Sequence, residues 1–229
     1  MVSETGSRLL DETRQELLKM ARLVQNIFHK TASALLERNM HSARDAISLS
    51  SSAQHSVMVI NKRVTVVLGV VCMRGKSLRF FASAMSITKV LKLISERSAE
   101  LSETALTLAK MTPFGFHENL RYTLNTVGVV LREAIDNLIT PSLVDVERIC
   151  RTDNELGKRF GQIEKEIVEA MNTSSALVEK GILLIAVFRS LKNVSELCMD
   201  LIELAAYIDT GRNYVCTAAT FVSADQKKD

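Results

Sequence analysis

Apolar positions recur at helical spacing along most of the chain. In LLKMARLVQNIFHKTASALLERN, Leu17, Met20, Val24, Ile27 and Leu35 fall on one face of an amphipathic helix. After the polar break ERNMHS, a second helix is predicted from about Ser42 into the Val64 region. A third is predicted to begin near Leu78, after Arg74-Gly75-Lys76, and to run to about Lys110. Within this half, VTVVLGVVCM (Val64 to Met73) reads as a buried helix segment, although its β-branched density leaves a strand open. Bounded by Lys62, Arg63, Arg74 and Lys76, it falls far short of the ~20 residues that span a bilayer.

MTPFGFHENL places a proline and a glycine two residues apart, and the pattern then restarts. Leu120, Leu124, Val127, Leu131, Ala134 and Leu138 form a narrow seam for a fourth helix that Pro141 is expected to stop. Ile149, Leu156, Phe160, Ile163 and Ile167 mark a fifth helix. A sixth runs from about Ser174 or Leu177 to Tyr207 and closes near Gly211. The segment from Asn213 to Asp229 is expected to fray.

The third and sixth helices carry related text. When Thr88 to Leu108 is laid on Phe188 to Ile208, an offset of 100, seven residues are identical: Leu91, Lys92, Ser95, Glu96, Leu101, Glu103 and Ala105 recur as Leu191, Lys192, Ser195, Glu196, Leu201, Glu203 and Ala205. The fold expected is therefore all-α: two tandem antiparallel three-helix bundles related by internal duplication, six long helices in all. The boundaries drawn are 1–112 for the first repeat, 113–212 for the second and 213–229 for a C-terminal tail.

Composition narrows the function. The net charge of +3 is a small difference between 29 basic and 26 acidic residues, and Trp is absent, so neither a nucleic-acid surface nor a base-stacking platform is implied. Cys72, Cys150, Cys198 and Cys216 are widely spaced, which suits free, mostly packed thiols in a reducing compartment. The N-terminus lacks the basic start and apolar run of a secretory signal.

At 100° per residue, Lys92, Glu96, Glu100 and Glu103 share one quadrant of the third helix, away from its apolar arc. Lys192, Glu196, Asp200 and Glu203 repeat the stripe on the sixth helix. Carboxylates one turn apart could serve a hard cation or ferric ion, and they are equally what a solvated face with Lys–Glu pairs presents. Asp153 differs, since its spacing puts it on the seam of the fifth helix, where a carboxylate is costly unless paired or able to reach water.

These residues resemble the PhoU-type phosphate uptake regulators. The resemblance spans about Leu9 to Gly211 and is strongest in LKLISERSAELSETAL and LKNVSELCMDLIELAAYIDTG. It implies a cytoplasmic helical adaptor, with acids on the bundle surface that hold multinuclear metal clusters. Glu96 and Glu196 stand where the family has Asp, and Glu100 and Asp200 where it has Asn or Asp. Lys92 and Lys192 replace the family's first Glu, so each ammonium is read as replacing part of a cation's charge. Asp153 matches a family acid, whereas Ser50 occupies its counterpart, and Gln54 and Gly157 lie where a further acid is common. The residual metal set is thus Glu96, Glu100, Asp153, Glu196 and Asp200, with no cofactor required and divalent or iron ions held more weakly than in the family.

The function expected from the resemblance is non-enzymatic: damping of phosphate uptake and phosphate-dependent signalling by contact with a transporter component or sensor kinase. The protein would be cytoplasmic, or peripheral to the inner face of the membrane through a partner, and a homo-oligomer such as a dimer. Two other readings stay open, a structural dimerisation module and a carboxylate-bridged metal-binding protein. A di-iron oxidase would need Glu-x-x-His pairs, and none of His29, His41, His55 and His117 completes one. Phosphate loops and nucleophile elbows are also missing from the sequence.

Overall fold

The computed structural model describes residues 4–113, 115–140, 143–217 and 220–223. Six helices run α1 (Glu4–Glu37), α2 (Met40–Val70), α3 (Gly75–Leu108), α4 (His117–Ile139), α5 (Leu143–Thr173) and α6 (Val178–Thr210). A 3-10 turn, Ser175–Leu177, leads into α6. The breaks are short and chemically marked. Arg38 takes a positive φ of 57° between α1 and α2, and Asn39 Oδ1 then caps α2 by accepting from the His41 and Ser42 amides, each at 3.1 Å. At the other end of the chain Gly211, at φ 78°, closes α6 in the left-handed conformation. Pro141, expected to stop the fourth helix, lies outside the described residues; α4 ends at Ile139.

Helices α1, α2 and α3 pack on one another, and α6 packs on both α4 and α5. The two groups meet through α3 against α6 and α1 against α4. Helices α3 and α6 run antiparallel: Arg79 near the start of α3 donates to the Tyr207, Ile208 and Asp209 carbonyls at the end of α6, while Lys180 near the start of α6 reaches Thr112 beyond α3. One continuous core results, and it contains every seam residue predicted for α1 and α5. The α4 seam is buried from Leu120 to Ala134, with Leu138 packed at its edge. Of the seven repeated residues, Leu91, Ser95, Leu101 and Ala105 are buried together with Leu191, Ser195, Leu201 and Ala205.

Three expectations are corrected. The Val64–Met73 segment is helical only as far as Val70, and it is not wholly buried. Val64, Val67 and Met73 enter the core, but Val66, Leu68 and Val70 are exposed, because α2 has neighbours on one side only. The tail is ordered from Tyr214 to Thr217 (β1) and from Thr220 to Ser223 (β2), which pair antiparallel as a hairpin with Val215 opposite Val222. This hairpin lies with β1 on α6 and β2 on α5. Finally, the cysteines are not all free: Cys150 of α5 and Cys216 of β1 form a disulfide with their Cα atoms 5.8 Å apart, while Cys72 is exposed and Cys198 buried as thiols. Among the described residues, no helix is long and apolar enough to cross a membrane.

Candidate functional site

The polar stripes occupy corresponding faces of α3 and α6. On α3, Lys92 Nζ lies 2.9 Å from Glu96 Oε1, and Arg97 lies 2.6 Å from Glu100 Oε2. On α6, Lys192 Nζ lies 3.5 Å from Glu196 Oε1. The lysine–glutamate pair therefore forms in both copies, as the i,i+4 spacing dictates. These side chains are substantially solvent-exposed, so each pair contributes a few tenths of a kcal/mol, about the usual surface value.

Beneath each stripe a serine reaches sideways to the neighbouring helix. Ser195 Oγ donates to Asp153 Oδ1 of α5 at 2.6 Å, and its counterpart Ser95 Oγ sits 3.0 Å from Ser50 Oγ of α2. Asp153 is thus a paired carboxylate, which answers the cost its seam position raises. Gly157, one turn further along α5, leaves open space where an acid would stand. With Gly161 it borders a groove of about 390 Å³ into which Arg189 and Lys192 project. Gln54 is exposed on α2.

The five candidate metal-ligating acids are not gathered at one point. Glu96 and Glu100 belong to α3, Glu196 and Asp200 to α6, and Asp153 to α5. Among the described residues no group of three or more His, Cys, Asp or Glu side chains is placed to hold a metal ion. Four of these acids instead engage Lys92 (Glu96), Arg97 (Glu100), Lys192 (Glu196) and the Ser195 hydroxyl (Asp153).

The second stripe has an element that the first lacks. The hairpin crosses it, and the Cys216 amide donates to Glu203 Oε1 at 3.1 Å. With α3 it roofs a cavity of about 460 Å³ bordered by Ser86, Val90, Asp200, Glu203 and Tyr214. Burial raises the Asp200 pKa, with Glu196 adding to the effect, although Asp200 keeps contact with solvent. Burial also raises Glu203, an effect opposed by the Cys216 amide and reinforced by Asp200. The buried Cys198 thiol is pushed up by desolvation first and then by Asp153 and Asp200, which keeps it protonated and inert. Sequence reasoning overlooked Glu203 as an anchor. The signal available was the β-branched and aromatic content of YVCT and TFVS, which suits short strands.

No protein-family model matches the chain. It is similar to the phosphate-specific transport system accessory protein PhoU homolog 2 of Thermotoga maritima, with 21% identity over 214 residues, 92% of this chain and 91% of that protein. A PhoU homolog of Aquifex aeolicus described as a phosphate-specific transport system accessory protein is 21% identical over 159 residues, covering 69% of this chain and 72% of that protein. Among solved structures, PhoU from Pseudomonas aeruginosa superposes with a TM-score of 0.85 at 18% identity, covering 90% of this chain and 99% of that one. The phosphate transport system regulatory protein PhoU from Streptococcus pneumoniae superposes at 0.82 with 19% identity, covering 91% and 98%. At these identities the superpositions establish the fold, and the sequence matches independently point the same way. Along most of its length the chain is similar in sequence to PhoU homologues, and it shares the all-helical fold of the PhoU structures.

Proposed function

We propose that the protein is a non-enzymatic accessory regulator of phosphate transport and phosphate-dependent signalling. It acts as an adaptor on the cytoplasmic side, contacting a transporter component or a sensor kinase. The observation that carries this reading is similarity over 92% of the chain to a protein described as a phosphate-specific transport accessory protein. The geometry is compatible with it, since the repeated polar residues form paired helix faces rather than a convergent catalytic pocket.

Within that role, Lys92 and Lys192 replace part of a metal cluster's positive charge. Each ammonium holds the glutamate one turn ahead, at 2.9 Å and 3.5 Å. The stripes then serve as fixed polar faces for a protein partner.

The decisive experiment combines deletion with affinity capture. Loss of the protein is expected to change phosphate uptake or phosphate-responsive transcription in phosphate-replete cells, and the tagged protein is expected to retain a phosphate-transporter subunit or sensor kinase from solubilised membranes. Unchanged uptake and signalling, with neither protein retained, would leave only a structural helical module.

A further inference from the structure

The charge of this chain is distributed unevenly. Between Asp45 and Glu96 there is no acidic residue, while Lys62, Arg63, Arg74, Lys76, Arg79, Lys89 and Lys92 are all basic. The formal +3 of the whole chain is therefore +7 in this stretch and −4 elsewhere. The stretch folds as the greater part of α2, the α2–α3 connection and the first half of α3.

The same region carries the densest exposed apolar surface. Met58, Val59, Val66, Leu68 and Val70 of α2 are exposed, and so are Leu78 and Met85 of α3; Val70 is 73% accessible and Met58 62%. At 100° per residue, Met58, Val59, Lys62 and Val66 lie on the side of α2 opposite its buried Ile60, Val64 and Val67. Leu78, Met85 and Lys89 line the outward side of α3. The two helices lie antiparallel, since Thr88 Oγ1 donates to Asn61 Oδ1 and, seven residues later on α3, Ser95 meets Ser50 further back on α2, so these outward sides flank one another. Some of the basic groups are already engaged: Arg63 with Glu12, Lys76 with Asp209, Arg79 with the end of α6, and Lys92 with Glu96. Lys62, Arg74 and Lys89 make no ion pair among the described residues and are exposed.

We infer that this α2–α3 face docks directly on an anionic lipid bilayer, with the aliphatic side chains entering the interface and Lys62, Arg74 and Lys89 meeting the headgroups. Unbranched cations beside branched aliphatics on an outward helix face are the composition that interfacial helices use. A second copy of this chain is disfavoured as the occupant, because a two-fold contact would set like-charged patches against each other. A protein partner is less well matched: the patch has no exposed Trp or Tyr to act as an anchor, and none of the cavities described above draws on its α2 apolar residues. The inference does not depend on the phosphate reading, and its test uses lipid alone.

The full-length protein is mixed with protein-free vesicles of neutral phosphatidylcholine, or of phosphatidylcholine containing about one-third phosphatidylglycerol, and bound protein is measured by flotation. Binding to the anionic vesicles is expected, and it should fall with added salt. Lys62→Glu combined with Lys89→Glu should weaken partitioning about tenfold or more, as should Val66→Asp combined with Val70→Asp. All four positions are solvent-exposed, and unchanged circular dichroism would verify the fold. Absence of binding to anionic vesicles, equal binding to neutral ones, or variants that bind as well as the parent would each overturn the inference. So would a patch needed only for capture of a membrane protein, which would assign this face to a protein partner.

Discussion

The Ser195 hydroxyl donates to Asp153 at 2.6 Å, and the corresponding hydroxyl of Ser95 meets another hydroxyl, Ser50, at 3.0 Å. The same inter-helix contact is thus ionic-acceptor in one repeat and neutral in the other. Hydrogen bonds to a charged group are worth more, so Ser195→Ala should cost about 1.5–3 kcal/mol and Ser95→Ala about 0.5–1.5 kcal/mol. Urea denaturation of the two variants would measure the difference, and equal costs would deny the asymmetry.

The proposed replacement of metal charge by Lys92 and Lys192 has a compositional consequence. Protein purified without chelator should contain iron, zinc and manganese well below one equivalent by elemental analysis. Lys92→Glu with Lys192→Glu should increase bound metal, because it puts a second acid one turn before Glu96 and Glu196. Near-stoichiometric metal bound through Glu96 or Glu196 in the parent protein would contradict the reading.

The hairpin depends on its tie to α5. Reduction, or Cys150→Ser with Cys216→Ser, should accelerate amide exchange at Tyr214–Thr217 and Thr220–Ser223 while leaving α1 to α4 protected. The Cys216 amide, bonded to Glu203, reports this most directly. Unaltered exchange in the hairpin would show that its packing on α5 and α6 suffices without the bond.

The pH dependence follows from the signs of the shifts. Asp200 and Glu203 have pKa values raised above ordinary values of 3.8 and 4.5, so their effect on stability is most favourable below those values and is lost as the pH climbs through the raised ones. Asp45 behaves oppositely, because the hydrogen bond from Lys30 lowers its pKa; its contribution is present above 3.8 and disappears as the pH falls. Asp200→Asn should therefore stabilise the protein slightly at neutral pH and flatten the profile above pH 3.8. Thermal melts across that range would reveal it.

Gly211 has φ 78°, and a Cβ there would lie 3.2 Å from the Arg79 guanidinium. Gly211→Ala should cost about 1 kcal/mol. Because Arg79 donates to the last α6 carbonyls, Arg79→Ala should loosen the same helix end, and the two losses should not add in a double-mutant cycle.

Helix number, order and seams were legible because each depends on local period: Leu17 to Leu35 and Ile149 to Ile167 repeat at the helical step and are buried. The paired lysines and glutamates were legible for the same reason. The partner of Asp153 was not, since Ser195 is 42 positions away and only packing of α5 on α6 unites them. The hairpin was missed because strands of four residues carry little periodic signal, and theirs is stabilised by Glu203 and Cys150 from distant helices. The outward side of α2 misled in the opposite sense: Val66 and Val70 look like core residues in sequence, but no neighbouring helix covers them.

The bond between Cys150 and Cys216, 66 positions apart, makes the protein mechanically lopsided. While it is intact, a pull on the two chain ends passes through the sulfurs and bypasses α6 and most of α5. Helices α1 to α4 have no such shunt among the described residues, so under load they would extend while α6 and most of α5 kept their length.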